Sequence, residues 1–234
     1  MNYKKSNIVN WEKVFSYSNT FQNNTPCKWA FIEEFLERDF YEQLYETYPK
    51  YDNGWSYTST EDKNAYRKLW SNRKANEIDD DIRDPKYSEA WNKFHHYLYT
   101  DDFIQHMRKF SGVKVDKPKH FTFMLLKRGG YQLPHIHNVG PTTLIMMIYF
   151  SKGWQKGDPG GTYVTPEEDE SKMIFEPYNL DNSMMIFHDG PYAGHGVRYI
   201  EKNVERRAVQ IYLEEYSTKT GWSGDPVKRE LKEI

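Results

Sequence analysis

The chain has 234 residues, 38% of them hydrophobic and 28% charged, with a net charge of −2. That length holds one substantial domain or two small ones, and a near-neutral chain with its Lys and Arg spread out gives no general electrostatic reason to bind nucleic acid or an anionic membrane. A lone cysteine, Cys27, excludes an intramolecular disulfide and fits a reducing compartment. The opening MNYKKSNIVNW lacks the apolar run of a secretory signal, and no stretch approaches the roughly 20 apolar residues that span a bilayer. The expectation is a cytoplasmic protein without nucleic-acid or membrane partners.

The first half reads mostly as helix. In FIEEFLERDFYEQLYETYPK (31–50), Leu36, Phe40, Leu44 and Tyr48 recur every four residues until Pro49 ends the run. Residues 50–88 are polar and weakly patterned, with an acidic EIDDD at 77–81, and read as a long loop that could cover a site. YSEAWNKFHHYLYT (87–100) returns to helical spacing, with Trp91, Phe94, His95 and Leu98 on one face. DDFIQHMRKF (101–110) follows as a short helix capped by an aspartate.

After residue 118 the pattern becomes β-rich. HFTFMLL (120–126), TTLIMMIYF (142–150), GTYVT (161–165), KMIFEP (172–177), SMMIF (183–187), HGVRYI (195–200) and RRAVQIYL (206–213) are short runs separated by Gly, Pro and Asn turns. Seven or eight such strands after a helical region predict a sandwich or jelly roll with helices covering one sheet. The chain divides as a helical support region (1–117), a β core (118–215) and a polar tail (216–234) within a single domain.

Chemistry concentrates in the histidines. His95, His96 and His106 fall on helices and read as structural, and His120 has no evident partner. His135, His137, His188 and His195 lie in the β half. In LPHIHN, His135 and His137 stand i, i+2 and so point to one side of an extended chain. His135 opens a strand after a loop, and His195 begins another after DGPYAG. Two imidazoles on neighbouring strands plus the i+2 partner would make a three-ligand face on a metal, leaving coordination positions open. Spacing alone leaves this and a scatter of unrelated barrel histidines both open.

IYFSKGWQKGDPGGTYVTPE (148–167) and FEPYNLDNSMMIFHDGPYAGHGVRYIEKNVERRAVQIYL (175–213) resemble the prolyl-hydroxylase-like branch of the Fe(II)/2-oxoglutarate oxygenases. The likeness covers roughly residues 118–215: a strand ending Tyr-Phe, a Lys-x-Trp turn, a Gly-Gly opening the next strand, and an Arg-x-Ala-Val-x-Ile strand after the distal histidine. It implies a double-stranded β-helix (α+β, mainly β, cupin-like) with N-terminal helices on one sheet. It also implies Fe(II), 2-oxoglutarate and O2 as cofactor and cosubstrates. His135 would be the first iron ligand and His195 the distal one. Arg206, eleven residues beyond His195, would grip the far carboxylate of 2-oxoglutarate with the Tyr149 hydroxyl, and the adjacent Arg207 would face the other way. The implied reaction is hydroxylation of a substrate C–H bond with release of succinate and CO2.

One position departs from the family. Its His-x-Asp is His-x-His here, and the halogenases of the family carry Gly or Ala instead. A neutral imidazole leaves the iron with one more unit of positive charge. His137 could ligate, giving a three-histidine face; it could swing away; or the site could be impaired. Asp189 and His188 are candidate substitutes or partners of the ligands. Two other functions compete: a three-histidine dioxygenase that needs no 2-oxoglutarate, and a binding module with a degraded metal site. The substrate, a small molecule or a peptide or protein side chain, is not specified. Tyr131, Trp154 and Tyr192 are candidates to line its pocket.

Overall fold

The computed structural model describes residues 7–70, 81–137 and 140–224. Helices α1 (Trp11–Ser16), α2 (Ser18–Asn23), α3 (Arg38–Glu46), α4 (Glu89–Leu98) and α5 (Asp101–Ser111) come from the first half. So do strands β1 (Trp29–Glu33), β2 (Ser56–Ser59) and β3 (Lys63–Leu69). The β half supplies β4 (Lys117–Leu126), β5 (Tyr131–His135), β6 (Thr143–Phe150), β7 (Tyr163–Thr165), β8 (Asp181–His188), β9 (Gly194–Val197) and β10 (Arg206–Glu214). A hairpin of β11 (Tyr216–Ser217) and β12 (Gly221–Trp222) follows.

The ten strands β1–β10 form one antiparallel sheet in the order β1-β8-β6-β10-β4-β3-β5-β9-β7, with β2 added to β3. It curls on itself as a jelly roll, the double-stranded β-helix. Strand β6 shows why this sequence suits it. All eight of its residues are buried, because both of its faces are covered. Leu144, Met146, Ile148 and Phe150 point outward into a core shared with the helices, whereas Ile145, Met147 and Tyr149 point into the barrel. Strand β10 alternates likewise: Val209, Ile211 and Leu213 face the helices, and Ala208 faces inward. Trp91 of α4 closes the outer layer, its ring centroid 4.9 Å from that of Phe123 and 5.2 Å from that of Phe150.

Several local expectations need correction. Residues 50–88 are not simply a loop: β2 and β3 form a hairpin that joins the sheet between β4 and β5. Only part of the polar stretch, 71–80, lies outside the described residues, and most of the EIDDD run lies there. The helical reading of 31–50 begins too early, because residues 29–33 pair antiparallel with β8 and the helix starts at Arg38. The α5 cap is Thr100, whose side chain accepts from the Phe103 amide; the aspartates occupy the first turn instead. Residues 172–177 contribute one isolated bridge, Val164 to Phe175, rather than a strand. The expected tail begins with a hairpin that buries Trp222. Among the described residues no helix is long and apolar enough to cross a membrane.

Candidate metal centre

The ladder assembles the histidines. His135 is the last residue of β5, closing a strand rather than opening one, and His195 is the second residue of β9; the two stand directly opposite each other. Directly opposed residues share a face with their Cβ atoms about 5 Å apart, and here the ring centroids are 4.3 Å apart. Two residues on, His137 turns its ring toward the pair, with its Nε2 3.2 Å from His135 Nε2. The amide of the intervening Ile136 donates to Glu168 at 3.0 Å, which anchors the chain between the two imidazoles. One ligand atom from each of the three histidines lies within 4.8 Å of the others.

Close packing of backbone holds His195 in place. A side chain at Gly194 would come within 2.5 Å of the Glu167 carbonyl, and one at Gly196 within 2.4 Å of the Tyr163 hydroxyl. The His195 Nδ1 donates to the Ala193 carbonyl at 3.0 Å, leaving Nε2 with its lone pair. That Nε2 is buried without a hydrogen-bond partner. His135 is oriented the same way, its Nδ1 3.0 Å from the Leu133 carbonyl. Its Nε2 accepts from the Gln132 amide at 2.9 Å. Backbone carbonyls fix both rings so that Nε2 faces inward, an arrangement that suits a metal. Burial, with His135 and His137 nearby, keeps the His195 imidazole well below its ordinary pKa, hence neutral and able to ligate. His137 Nε2 also lies 3.3 Å from the Tyr212 hydroxyl. With His135 Nε2 accepting, the proton of the His135–His137 contact belongs to His137. Ligation through that nitrogen requires it to move to Nδ1 or leave.

The cavity beside the cluster is lined by His195, Arg206, Gln132, Gln210, Thr162 and apolar residues including Met124, Met147 and Phe187. Arg206 is 0% exposed and no carboxylate among the described residues pairs with it. Its Nε donates to the Gly160 carbonyl and its Nη2 to Thr162 Oγ1, each at 2.9 Å. Nη1 is buried and unpartnered. A buried, uncompensated guanidinium is costly unless an anion meets it. Burial lowers its pKa below the ordinary value, against the opposing influence of Tyr149 and Tyr48. The Tyr149 ring lies 5.0 Å beneath the guanidinium, and its hydroxyl accepts from the Thr162 amide at 2.9 Å. The Gly160-Gly161 pair lets the chain pass close over Trp154 and Pro177 and offers Arg206 a carbonyl.

Other candidates fall elsewhere. Arg207 faces the helices, paired with Glu205 at 2.6 Å and 5.6 Å over the Tyr48 ring. His188 contacts the Pro141 carbonyl at 2.7 Å, away from the three histidines. Asp189 is buried, its amide bonded to the Thr143 carbonyl, and it is not one of the clustered metal-ligating groups. Tyr131, Trp154 and Tyr192 do not line the cavity; Tyr131 bonds to Thr60, Trp154 to Pro159, and Tyr192 is exposed. His95 and His106 stack on Trp70 and Trp11, His96 pairs with Asp81, and His120 packs edge-on to Tyr212. Sequence reading missed Gln132, Thr162 and Tyr212, which carry no motif and gain their places only from strand parity.

No family model matches the chain, and no curated protein matches it. Solved structures do. A prolyl-4-hydroxylase of Pseudomonas putida superposes with a TM-score of 0.62 at 14% identity, over 87% of this chain and 100% of its own. An oxidoreductase of the 2OG-Fe(II) oxygenase family from Burkholderia pseudomallei gives 0.55 at 11% identity, over 91% and 93%. A prolyl hydroxylase from Trichoplax adhaerens, solved with a hypoxia-inducible-factor peptide fragment, gives 0.54 at 14% identity, over 87% and 88%. At these identities the likeness shows the fold: the double-stranded β-helix of 2-oxoglutarate oxygenases.

Proposed function

We propose that this chain is an Fe(II)- and 2-oxoglutarate-dependent oxygenase that hydroxylates a C–H bond of its substrate. His135, His137 and His195 would hold the iron, and Arg206 with Tyr149 the far carboxylate of 2-oxoglutarate. The observation that carries the reading is a pair of buried, unpartnered nitrogens in one cavity: Nε2 of His195, a lone pair without a donor, and Nη1 of Arg206, a donor without an acceptor. A metal answers the first and a carboxylate the second.

With iron and 2-oxoglutarate bound, O2 would be used to oxidise the cosubstrate to succinate and CO2 and the substrate to its alcohol. The protein's share is placement. The Ala193 and Leu133 carbonyls fix the two imidazoles, Arg206 sets the cosubstrate's direction, and the apolar walls from β4, β6 and β8 exclude water. His137 would shed or relocate its Nε2 proton to join the set, and the Tyr212 hydroxyl would no longer be offered that proton.

The three-histidine set also supports an oxygenase that binds its substrate directly, without 2-oxoglutarate. The unpartnered guanidinium favours the first reading, in which the cosubstrate itself supplies the anion; in the alternative the substrate would have to carry one. Single-turnover oxidation under O2 separates them. Succinate formation that requires both Fe(II) and 2-oxoglutarate is the expected result; O2 consumption indifferent to 2-oxoglutarate would overturn it. His137→Asp tests the departure from the family: turnover unchanged or raised is expected if an imidazole merely occupies the carboxylate's place.

A further inference from the structure

Two further cations face the barrel interior from β3, beside the cavity that Arg206 lines. Lys63 stands opposite Gln132 and Arg67 opposite Met124, both of which line the cavity. Opposed residues share a face, and residues at i, i+2 and i+4 on a strand lie on one side. Lys63, Ala65 and Arg67 therefore face inward together. Ala65 confirms the parity by packing with Leu126 and Val197, two further lining residues. Lys63 is only 8% exposed and forms no ion pair among the described residues. The Nε of Arg67 is buried with no hydrogen-bond partner.

Two carboxylates reach this region. Glu168 is engaged by the Ile136 amide, and Asp189 lies near Tyr212 at the end of β8. No ion pair joins Lys63 or Arg67 to a carboxylate among the described residues. In the proposed reading 2-oxoglutarate occupies Arg206, which leaves the two β3 side chains over. Buried cations without partners are retained where a ligand supplies the anion.

We infer that Lys63 and Arg67 form a second anion-binding position, distinct from the one at Arg206, that takes a carboxylate or phosphate group of the oxidised substrate. The substrate is thus an acidic molecule, held by its charged group against β3 with the reacting carbon toward the histidines. Naming the bound group as substrate rests on the oxygenase reading; the anion position itself does not.

The test is calorimetric titration of sulfate, a soluble stand-in for phosphate, and of malonate. Each is added to protein saturated with Mn(II) and the 2-oxoglutarate isostere N-oxalylglycine. Binding of one or both is expected, weakened about tenfold or more in Lys63→Met and in Arg67→Met and largely kept in Arg67→Lys, since each loses or keeps one charge-assisted contact. N-oxalylglycine affinity should stay within about twofold in the β3 variants and fall in Arg206→Met. Melting curves confirm that each variant is folded. No binding of either anion, or binding indifferent to the β3 variants, would overturn the inference. So would loss of N-oxalylglycine in place of the added anion, which would assign β3 to the cosubstrate. If the wild type does not take up N-oxalylglycine at all, the oxygenase reading fails, and the same titrations without metal still decide the anion position.

Discussion

At the scale of single residues, the side of a strand that a cation faces decides what it can bind. Arg206 and Arg207 are neighbours in sequence, yet one is sealed in the barrel and the other pairs with Glu205 on the helix side. Arg206→Met should weaken 2-oxoglutarate binding to the metal-loaded protein about a hundredfold, as loss of a buried charged partner does. Arg207→Met should change it less than about twofold, read by equilibrium titration; equal effects would refute the assignment. Lys63 offers a pH-dependent test. Burial, reinforced by Arg67 and Arg206, lowers its pKa from 10.5 to about 7. Below pH 7 both folded and unfolded chains carry the proton, and the fold bears the full penalty of the buried charge. Between about 7 and 10.5 only the unfolded chain carries it, so wild-type stability from this group rises with pH. Lys63→Met should therefore raise Tm most at pH 6, with the gain shrinking by pH 9. The charged and titratable groups around it are Arg67, Arg206, His135 and His195. A gain that does not vary with pH would contradict the burial argument.

At the scale of elements, legibility followed periodicity. The α4 face of Trp91, Phe94, His95 and Leu98 was readable because four apolar or aromatic residues keep helical spacing, and all four are buried. β6 and β10 were readable as short apolar runs. β3 was not: KNAYRKL carries three cations and two polar-tipped residues in seven, and a strand whose inward face bears Lys and Arg does not show the apolar alternation that marks strands. The same feature that hid β3 from sequence reading makes it a functional candidate. The sequence singled out His135, His137 and His195, which the fold brings together, by spacing, and Arg206 by the resemblance alone. It could not show Gln132, Thr162 or the orientation of His137, which depend on a β5–β9 register interrupted by an irregularity. The packing elements should be separable from the site. Trp91→Ala should cost about 3–5 kcal/mol in denaturant unfolding while leaving metal affinity within about twofold, because its ring fills the helix side of the sheet. A variant that loses metal binding while still folded would show the two layers to be coupled.

At the scale of the whole molecule, one curled sheet serves two purposes by alternation. Its outer face is an aromatic core shared with five helices, and its inner face carries the imidazoles, the guanidinium and the cavity. The likeness in fold to 2-oxoglutarate oxygenases at 11–14% identity shows how little sequence such a curled sheet requires. The inner face also carries positive charge: Arg206 is sealed within it, and Lys63 and Arg67 face it from β3. The most direct measurement is anaerobic addition of Fe(II) and then 2-oxoglutarate to the wild type, recording the visible charge-transfer band of the chelate. A band that saturates with 2-oxoglutarate and is lost in Arg206→Met is the predicted result. Its absence in the wild type, with iron shown to be bound, would contradict the proposed chemistry.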